Sequence, residues 1–156
     1  MCLTLAILLV SLVTGCGADY DKGLAAYESG DFATALREWT PLAEQGNISA
    51  QRGLGSMYYN GKGVSPNYKT AAKSYTRAAE QGDASSQTTL GVLYAKGLGV
   101  IKDNVYAHMW GHIAAANGDK IGDKLRDDIA TRMTSADISA SQKLASECIR
   151  KEYKGC

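Results

Sequence analysis

The sequence repeats itself with a period of 36 residues, and this repeat constrains the fold more than any other feature. Gly46, Gly82 and Gly118 are spaced by 36 residues, and the stretch NGKGV that ends at Val64 returns as AKGLGV ending at Val100. A period of about 20 to 50 residues is typical of solenoids and other repeat arrays. The chain is therefore predicted to stack similar units. The positions that match without a gap are Ser49/Ser85, Gln51/Gln87, Leu54/Leu90, Gly55/Gly91, Tyr58/Tyr94, Gly61/Gly97, Gly63/Gly99, Ala71/Ala107, Ala78/Ala114 and Ala79/Ala115.

Each unit is predicted to consist of two antiparallel helices. Gly46 and Gly82 supply the left-handed residue that commonly ends a helix, and Asn47 or Asp83 beside them can cap the following helix. The second helix of the first unit is predicted to begin at Ser65-Pro66, a cap followed by a proline. The glycines of NGKGV and AKGLGV then stop one helix and turn the chain into the next. A phosphate-binding loop would need a preceding strand, which the pattern lacks.

Apolar residues at three- and four-residue spacing give each predicted helix a stripe that faces the core. Gly55 and Gly91 lie inside helices, where glycine costs about 1 kcal/mol relative to alanine, so we expect a neighbouring helix backbone to pass close to them. The tyrosines that share this spacing are assigned to the core rather than to a stacking platform. The stripe residues are Leu54, Met57, Tyr58, Tyr68, Ala71, Ala72, Tyr75, Ala78, Ala79, Leu90, Leu93, Tyr94, Tyr106, Ala107, Trp110, Ile113 and Ala114.

Further helices are predicted on both sides of the two clear units. Residues 27–46 form a hairpin of the same kind with a shorter turn, and Trp39 stands one period before Tyr75. Downstream, the stretches GDKIGDKLRDDIATRM and TSADISASQKLASECIRKEY are predicted to be two closing helices. Thr134 opens the second of them, with Asp137 three residues later, which is close to a capping box.

The chain resembles the Sel-one-like (Sel1-like) repeat family, a relative of the tetratricopeptide repeat. The likeness lies in AQRGLGSMYYNGKGVSPNYKTAAKSYTRAAEQG and SQTTLGVLYAKGLGVIKDNVYAHMWGHIAAANG. It implies an all-α, right-handed α-solenoid of antiparallel helix pairs whose inner face binds an as yet unidentified protein or peptide, with no catalytic centre, metal or cofactor. The implied units are residues 19–46, 47–82 and 83–118, followed by a capping helix pair at 119–156.

Candidate binding residues are the first-helix positions that the core stripe leaves free. They differ between the two units, as expected either for a surface fitted to one partner or for unconstrained surface drift. The formal net charge of +1 gives no footprint for nucleic acid. The candidates are Arg52, Ser56 and Tyr59 in the first unit and Thr88, Val92 and Ala95 in the second.

Catalytic motifs are absent from the sequence: it contains no G-x-S-x-G, H-E-x-x-H or C-x-x-C. His108 and His112 lie four residues apart on a predicted helix, but no nearby residue completes a metal site, so both are assigned to a partly solvated helix surface. Some cysteine-rich exported members of the wider family are associated with β-lactams or other cell-wall compounds, which makes a hydrolase or binder of such compounds the alternative function. Those members carry a cysteine pair in most repeats, and neither clear unit here does.

The first 18 residues are uncharged and contain an apolar run from Leu3 to Val13. This run is too short for a transmembrane helix and is typical of a secretory signal peptide, so we expect export to the periplasm. Two cleavage sites remain open. Small residues at Cys16 and Ala18 suit an ordinary signal peptidase and a soluble chain that begins at Asp19. The stretch VTGC instead resembles a lipobox, in which Cys16 would be acylated and would anchor the protein to a membrane.

At either cleavage site Cys148 and Cys156 remain as the structural cysteines, an even number that suits an oxidising compartment. Cys148 is predicted to share the core stripe of the last helix with Ile149. A straight helix would separate the two cysteine α-carbons by about 12 Å, beyond the ~7 Å limit for a disulfide, so the chain must reverse after Tyr153. Gly155 permits such a turn. We predict a disulfide, with a buried Cys148 and a free Cys156 as the alternative.

Overall fold

The computed structural model describes residues 18–156, which form an all-α repeat solenoid of consecutively packed helices. Residues 1–17 of the predicted leader, among them Cys16, lie outside the described residues. No helix within residues 18–156 is long and apolar enough to cross a membrane. The helices of this range are α1 (Tyr20–Ser29), α2 (Phe32–Glu44), α3 (Ile48–Asn60), α4 (Tyr68–Ala79), α5 (Ala84–Lys96), α6 (Asn104–Ala116), α7 (Lys120–Ala130) and α8 (Ser135–Arg150).

A polar side chain caps the N-terminus of each of these helices. Asp31, for example, accepts a hydrogen bond from the backbone N–H of Thr34 at 3.1 Å, which satisfies a donor that the first helical turn leaves unpaired. The predicted caps of α3 and α5 are confirmed, and Thr134 and Asp137 form a capping box at the start of α8. The capping residues are Asp19, Asp31, Asn47, Asn67, Asp83, Asp103, Asp119 and Thr134.

The start of α4 differs from the prediction. The sequence places it at Ser65-Pro66, whereas α4 begins at Tyr68 with Asn67 as its cap. The Asn67 side chain accepts a hydrogen bond from the N–H of Thr70 at 2.9 Å, and its own N–H donates to the carbonyl oxygen of Tyr58 at 2.8 Å. The second bond ties the connecting turn to the end of α3. The chain therefore enters the helix two residues later than the proline suggested.

The glycine turns inside the pairs α3/α4 and α5/α6 each pack against the preceding helix pair. Gly63 and Gly99 adopt left-handed backbone conformations, with φ angles of 71° and 73°. A Cβ atom on Gly99 would overlap the carbonyl group of Tyr68 and lie 2.6 Å from the backbone nitrogen of Lys69. A Cβ atom on Gly63 would overlap the Cβ atom of Phe32, at the start of α2. The turns NGKGV and AKGLGV are therefore contacts between units as well as helix stops.

A buried glutamine in each clear unit links neighbouring helices. Gln51 is 4% exposed, and its Nε2 donates to the carbonyl oxygen of Ala43 at 3.0 Å. Its Oε1 accepts a hydrogen bond from Nε2 of Gln81 at 2.8 Å. Buried amides require such partners, which explains why the residue recurs. The second unit repeats the arrangement with Gln87, Ala79 and Asn117.

The apolar stripes pack into two clusters, one that contains Trp39 and one that contains Trp110. The assignment of the five stripe tyrosines to the core is wrong for Tyr68; Tyr58, Tyr94 and Tyr106 pack against the Trp110 cluster. Tyr75 is 6% exposed, but Tyr68 is 40% exposed because it lies in the first turn of α4, where its ring contacts Tyr59 edge-on at a centroid distance of 5.4 Å. The remaining stripe tyrosines are half-buried: Tyr58, Tyr94 and Tyr106.

The two glycines inside helices make room for different neighbours. A Cβ atom on Gly91 would lie 3.1 Å from the carbonyl oxygen of Ala107 in α6, as expected for a close approach of two helix backbones. At Gly55 the space is filled by the aromatic ring of Tyr75, whose atoms would lie 3.0 Å from such a Cβ. The prediction of a close backbone therefore holds for Gly91 and is wrong for Gly55.

The helix pair α7 and α8 closes the array, and the chain then folds back on α8. Cys148 is paired with Cys156, with the two α-carbons 5.6 Å apart. The reversal comes earlier than predicted, at Glu152 and Tyr153, whose φ angles are 52° and 66°. The N–H of Tyr153 donates to the carbonyl oxygen of Cys148 at 2.9 Å, which holds this turn. Ile149 is 40% exposed, contrary to its assignment to the stripe, because Cys148 takes the buried position.

We expect peptide mapping of unreduced protein to find Cys148 and Cys156 in one cross-linked fragment. In the chain-entropy model, loss of a disulfide that closes so short a loop lowers the free energy of unfolding by about 2 to 3 kcal/mol. Cys156→Ser, measured by urea unfolding, should show this loss without placing a hydroxyl group in the core. Fragments with free thiols at both cysteines, or a Cys156→Ser variant as stable as the parent, would contradict the prediction.

Candidate functional site

A groove of about 290 Å³ runs across the first helices of three successive pairs. Residues of α1, α3 and α5 supply most of its lining, so the groove lies on the side of the solenoid that the sequence predicts for binding. Its shape and lining suit a ligand, because binding sites are usually concave and combine apolar surface with a few polar groups. The lining residues are Tyr20, Leu24, Tyr27, Trp39, Ser49, Arg52, Gly53, Ser56, Tyr75, Ser85 and Thr89.

The floor of the groove is Trp39, whose indole ring is held between α1 and α3. A Cβ atom on Gly23 would overlap the indole nitrogen, and one on Gly53 would lie 2.7 Å from Cζ3 of the ring. The indole N–H donates to the carbonyl oxygen of Tyr20 at 3.2 Å. The two glycines thus form a slot for the ring, and only 2% of Trp39 is exposed.

Two tyrosines extend this aromatic surface towards solvent. The rings of Tyr20 and Tyr27 lie 5.7 Å and 5.5 Å from the ring of Trp39. Nζ of Lys62 lies 4.7 Å from the centre of the Tyr27 ring, a cation–π contact. Burial alone would raise the pKa of Tyr27, but the nearby Lys62 and Ser56 side chains outweigh it and lower that pKa. The aromatic end of the groove therefore has a cation beside it.

Arg52 supplies the charge in the groove. Its Nη1 donates to Oδ1 of Asp83 at 2.8 Å, and 41% of the arginine side chain remains exposed. A guanidinium carries five N–H donors, so the bond to Asp83 leaves others for a ligand. No carboxylate among residues 18–156 lines the groove. The site therefore combines aromatic surface with hydroxyl and guanidinium donors.

Arg52 and Ser56 are the two predicted binding residues that the structure places in the groove. Thr88, which stands one period after Arg52, is 6% exposed, and its hydroxyl donates to Oδ2 of Asp119 at 2.8 Å. Arg52 makes the equivalent bond to Asp83, the cap of α5. Both residues therefore connect one unit to the cap of the next, and the burial of Thr88 keeps its side chain from direct contact with a partner.

The other three predicted residues lie outside the groove lining. Tyr59 contacts Tyr68, and Val92 and Ala95 are half-buried on α5. Their role in binding stays a prediction. The contribution of α1 was not predicted from the sequence because that helix precedes the two clear units; the aromatic residues of the first hairpin were the available signal.

His108 is 3% exposed, so its assignment to a solvated helix surface is wrong. Its Nδ1 lies 2.7 Å from the hydroxyl oxygen of Ser141, and that hydroxyl lies 2.8 Å from the carbonyl oxygen of Ile138, to which it donates. These contacts join α6 to α8. Within residues 18–156, no three His, Cys, Asp or Glu side chains are grouped as a metal site.

The burial of His108 predicts a loss of stability in mild acid. Burial lowers the pKa of His108, nearby His112 and Arg126 lower it further, and Asp127 opposes them. An unfolded histidine protonates near pH ~6.5, so below that pH the unfolded chain binds more protons than the folded one and stability falls. Urea midpoints between pH 7.5 and 5 should therefore fall more for the parent than for His108→Gln. Parallel curves would contradict this assignment.

The chain is similar to known repeat proteins over the two units that the sequence pattern predicts. The Sel1 repeat family model matches residues 48–83 and 84–119, each range starting one residue after a predicted unit. The chain belongs to the Sel1-like repeat family. Its Sel1-like fold is also seen in a crystal structure of a protective antigen, described as displaying an SLR fold, from uropathogenic Escherichia coli strains. The TM-score is 0.81 and the identity 27%, over 86% of this chain and 30% of that chain.

A second Sel1-like relative is a Sel1 repeat protein from Oxalobacter formigenes. Its crystal structure has a TM-score of 0.66 and is 31% identical, over 69% of this chain and 44% of that chain. This Sel1-like chain therefore spans less than half the length of either structure. No curated protein matches it.

The groove extends beyond the two Sel1 repeats. The residues that α3 and α5 contribute lie within the matched ranges, whereas Tyr20, Leu24, Tyr27 and Trp39 belong to the preceding hairpin. This hairpin supplies the aromatic half of the groove. The repeats supply Arg52 and the serine and threonine hydroxyl groups.

Proposed function

We propose that this Sel1-like protein is a non-enzymatic, exported scaffold that binds a protein or peptide segment in the groove across α1, α3 and α5. Stacked helix pairs support this role because they present an extended surface without requiring catalytic groups. The observation that carries the proposal is that the rings of Trp39 and Tyr27 and the partly exposed Arg52 line the same groove.

The chemistry of the groove favours a peptide segment that carries a carboxylate beside an apolar side chain. An apolar side chain would lie against Tyr27 and Leu24, where it leaves water. A carboxylate would accept charge-assisted hydrogen bonds from Arg52, whose planar guanidinium suits that geometry. No carboxylate of residues 18–156 lines the groove, and the Asp83 carboxylate that accepts from Arg52 is only 14% exposed.

A hydrolase of β-lactams or cell-wall compounds would need a nucleophile that is activated by a base and open to substrate. Among residues 18–156, the serine hydrogen-bonded to a histidine is Ser141 of α8, which is buried against His108 of α6. This pair holds two helices together, so the groove is the better basis for a function. The proposal of export rests on the predicted leader peptide. We favour a soluble periplasmic chain, and the alternative is a chain anchored to a membrane by a lipid on Cys16.

Selection from a library of random peptides displayed on phage tests the proposal. One library should display peptides internally and another should expose a free C-terminus, so that side-chain and terminal carboxylates are distinguished. We expect enrichment of peptides with a carboxylate next to a bulky apolar residue, competed by the same free peptide. Failure to enrich any sequence, or enrichment of basic peptides, would overturn the proposal.

A further inference from the structure

The carboxylate of Glu38 on α2 is almost fully buried but has one weakly bonded oxygen. Only 8% of its side chain is exposed, and Oε1 lies 2.8 Å from Nζ of Lys22 and 3.3 Å from Nη2 of Arg37. Oε2 accepts a single hydrogen bond, at 3.3 Å from the backbone nitrogen of Asp19. One oxygen therefore has two cationic partners, while the other faces a neutral amide.

The backbone nitrogen of Asp19 is held beside Glu38 by contacts that lie on its C-terminal side. The Asp19 side chain caps α1 by accepting from the N–H groups of Asp21 and Lys22. The next residue, Tyr20, is tied to α2 through the indole N–H of Trp39. Because these bonds do not involve residues before Asp19, they would keep its nitrogen in place if the chain began there.

We infer that Glu38 is the binding site for the α-ammonium group of a chain that is cleaved between Ala18 and Asp19. Hydrolysis of this peptide bond adds the hydroxyl of water to the Ala18 carbonyl carbon and a proton to the Asp19 nitrogen. The new amine takes up a further proton at neutral pH, which gives a cation with three N–H donors beside Oε2. Charge-assisted hydrogen bonds of this kind are shorter and about twice as strong as neutral ones.

The buried carboxylate of Glu38 would also offset an unfavourable charge that cleavage places at the start of α1. A positive charge at the N-terminus of a helix opposes the helix dipole, and α1 begins at Tyr20, directly after the new terminus. Glu38 would supply the opposing charge. The small residues Cys16 and Ala18 that precede Asp19 suit a signal peptidase. This inference concerns maturation of the chain and is independent of the groove.

The test is to express the full 156-residue chain in a Gram-negative bacterium and to analyse the product by intact mass and N-terminal sequencing. We expect Asp19 as the first residue. An NMR pH titration of the unmodified α-amine, followed through the 13C shift of the Asp19 α-carbon, should then give a pKa above the ordinary value of about 7.7 to 8.0. Glu38→Gln should lower it by about one unit, whereas Glu44→Gln, a change at an exposed carboxylate of the same helix, should not.

Three results would overturn the inference. They are a first residue other than Asp19, including an acylated Cys16; an ordinary pKa for the α-amine of the parent chain; and an equal pKa in the parent and in Glu38→Gln. If Glu38→Gln fails to fold, the pKa of the α-amine in the parent chain still tests the inference. Peptide selection on the groove does not depend on any of these outcomes, so the two proposals fail separately.

Discussion

Replacement of Gly99 by alanine is expected to lower the free energy of unfolding by about 3 to 4 kcal/mol. Two costs add at this position. The left-handed φ of 73° is unfavourable for alanine, and the new methyl group would overlap the carbonyl group of Tyr68 at the start of α4. Backbone atoms cannot rotate away as a side chain can, so the turn and α4 must separate. Urea unfolding followed by circular dichroism measures the loss.

Gly118→Ala is the matched control, because the φ of Gly118 is 89° and no heavy atom lies within 4 Å of the added Cβ. It carries the cost of the left-handed conformation alone, about 1 to 2 kcal/mol. The difference between the two variants therefore measures the contact between units. Equal losses for Gly99→Ala and Gly118→Ala would show that the turn does not join neighbouring helix pairs as described.

Arg52→Gln is expected to weaken binding of a selected acidic peptide by about 10- to 100-fold. A hydrogen bond to a charged group contributes about 1.5 to 3 kcal/mol, and each 1.4 kcal/mol is about a factor of ten in affinity. Fluorescence anisotropy with a labelled peptide gives both dissociation constants. The ion pair with Asp83 is partly exposed and contributes at most about 1 kcal/mol to stability, so the variant should still fold.

Asp83→Asn separates a direct role of Arg52 from an indirect one. Asparagine still caps α5, but it removes the charge that partly neutralises Arg52. We expect this variant to bind the acidic peptide at least as tightly as the parent. If Asp83→Asn and Arg52→Gln weakened binding equally, the ion pair would be positioning the helices and Arg52 would not contact the ligand.

The repeat pattern made much of the fold predictable, because the 36-residue period places helix ends, caps and turns at fixed intervals. Gly46 and Gly82 end their helices in left-handed conformations of 95° and 88° as predicted. Local rules of this kind require only neighbouring residues. The start of α4 was predicted wrongly because Asn67 bonds to Tyr58, a contact that the preference of proline for a first helical turn does not include.

The groove was less predictable because its parts come from five helices. Gly23 and Gly53 gain their role only when α1 and α3 close on the ring of Trp39, and neither glycine follows the period. Gly23 and Gly53 were not predicted to form the site, whereas Thr88 was predicted to bind and is buried. Its position in the repeat matched that of Arg52, but a threonine is too short to reach past the cap Asp119 to solvent.

The central claim is that a peptide binds in the groove, and a 1H–15N NMR titration with a peptide from the selection tests it most directly. We expect the backbone amides near Tyr27, Arg52 and Ser85 to shift with one common dissociation constant, and those of α7 and α8 to stay unchanged. These residues lie on α1, α3 and α5, so no single helix could produce this pattern. Saturable binding that shifts only α7 and α8, or other amides outside the groove, would contradict the claim.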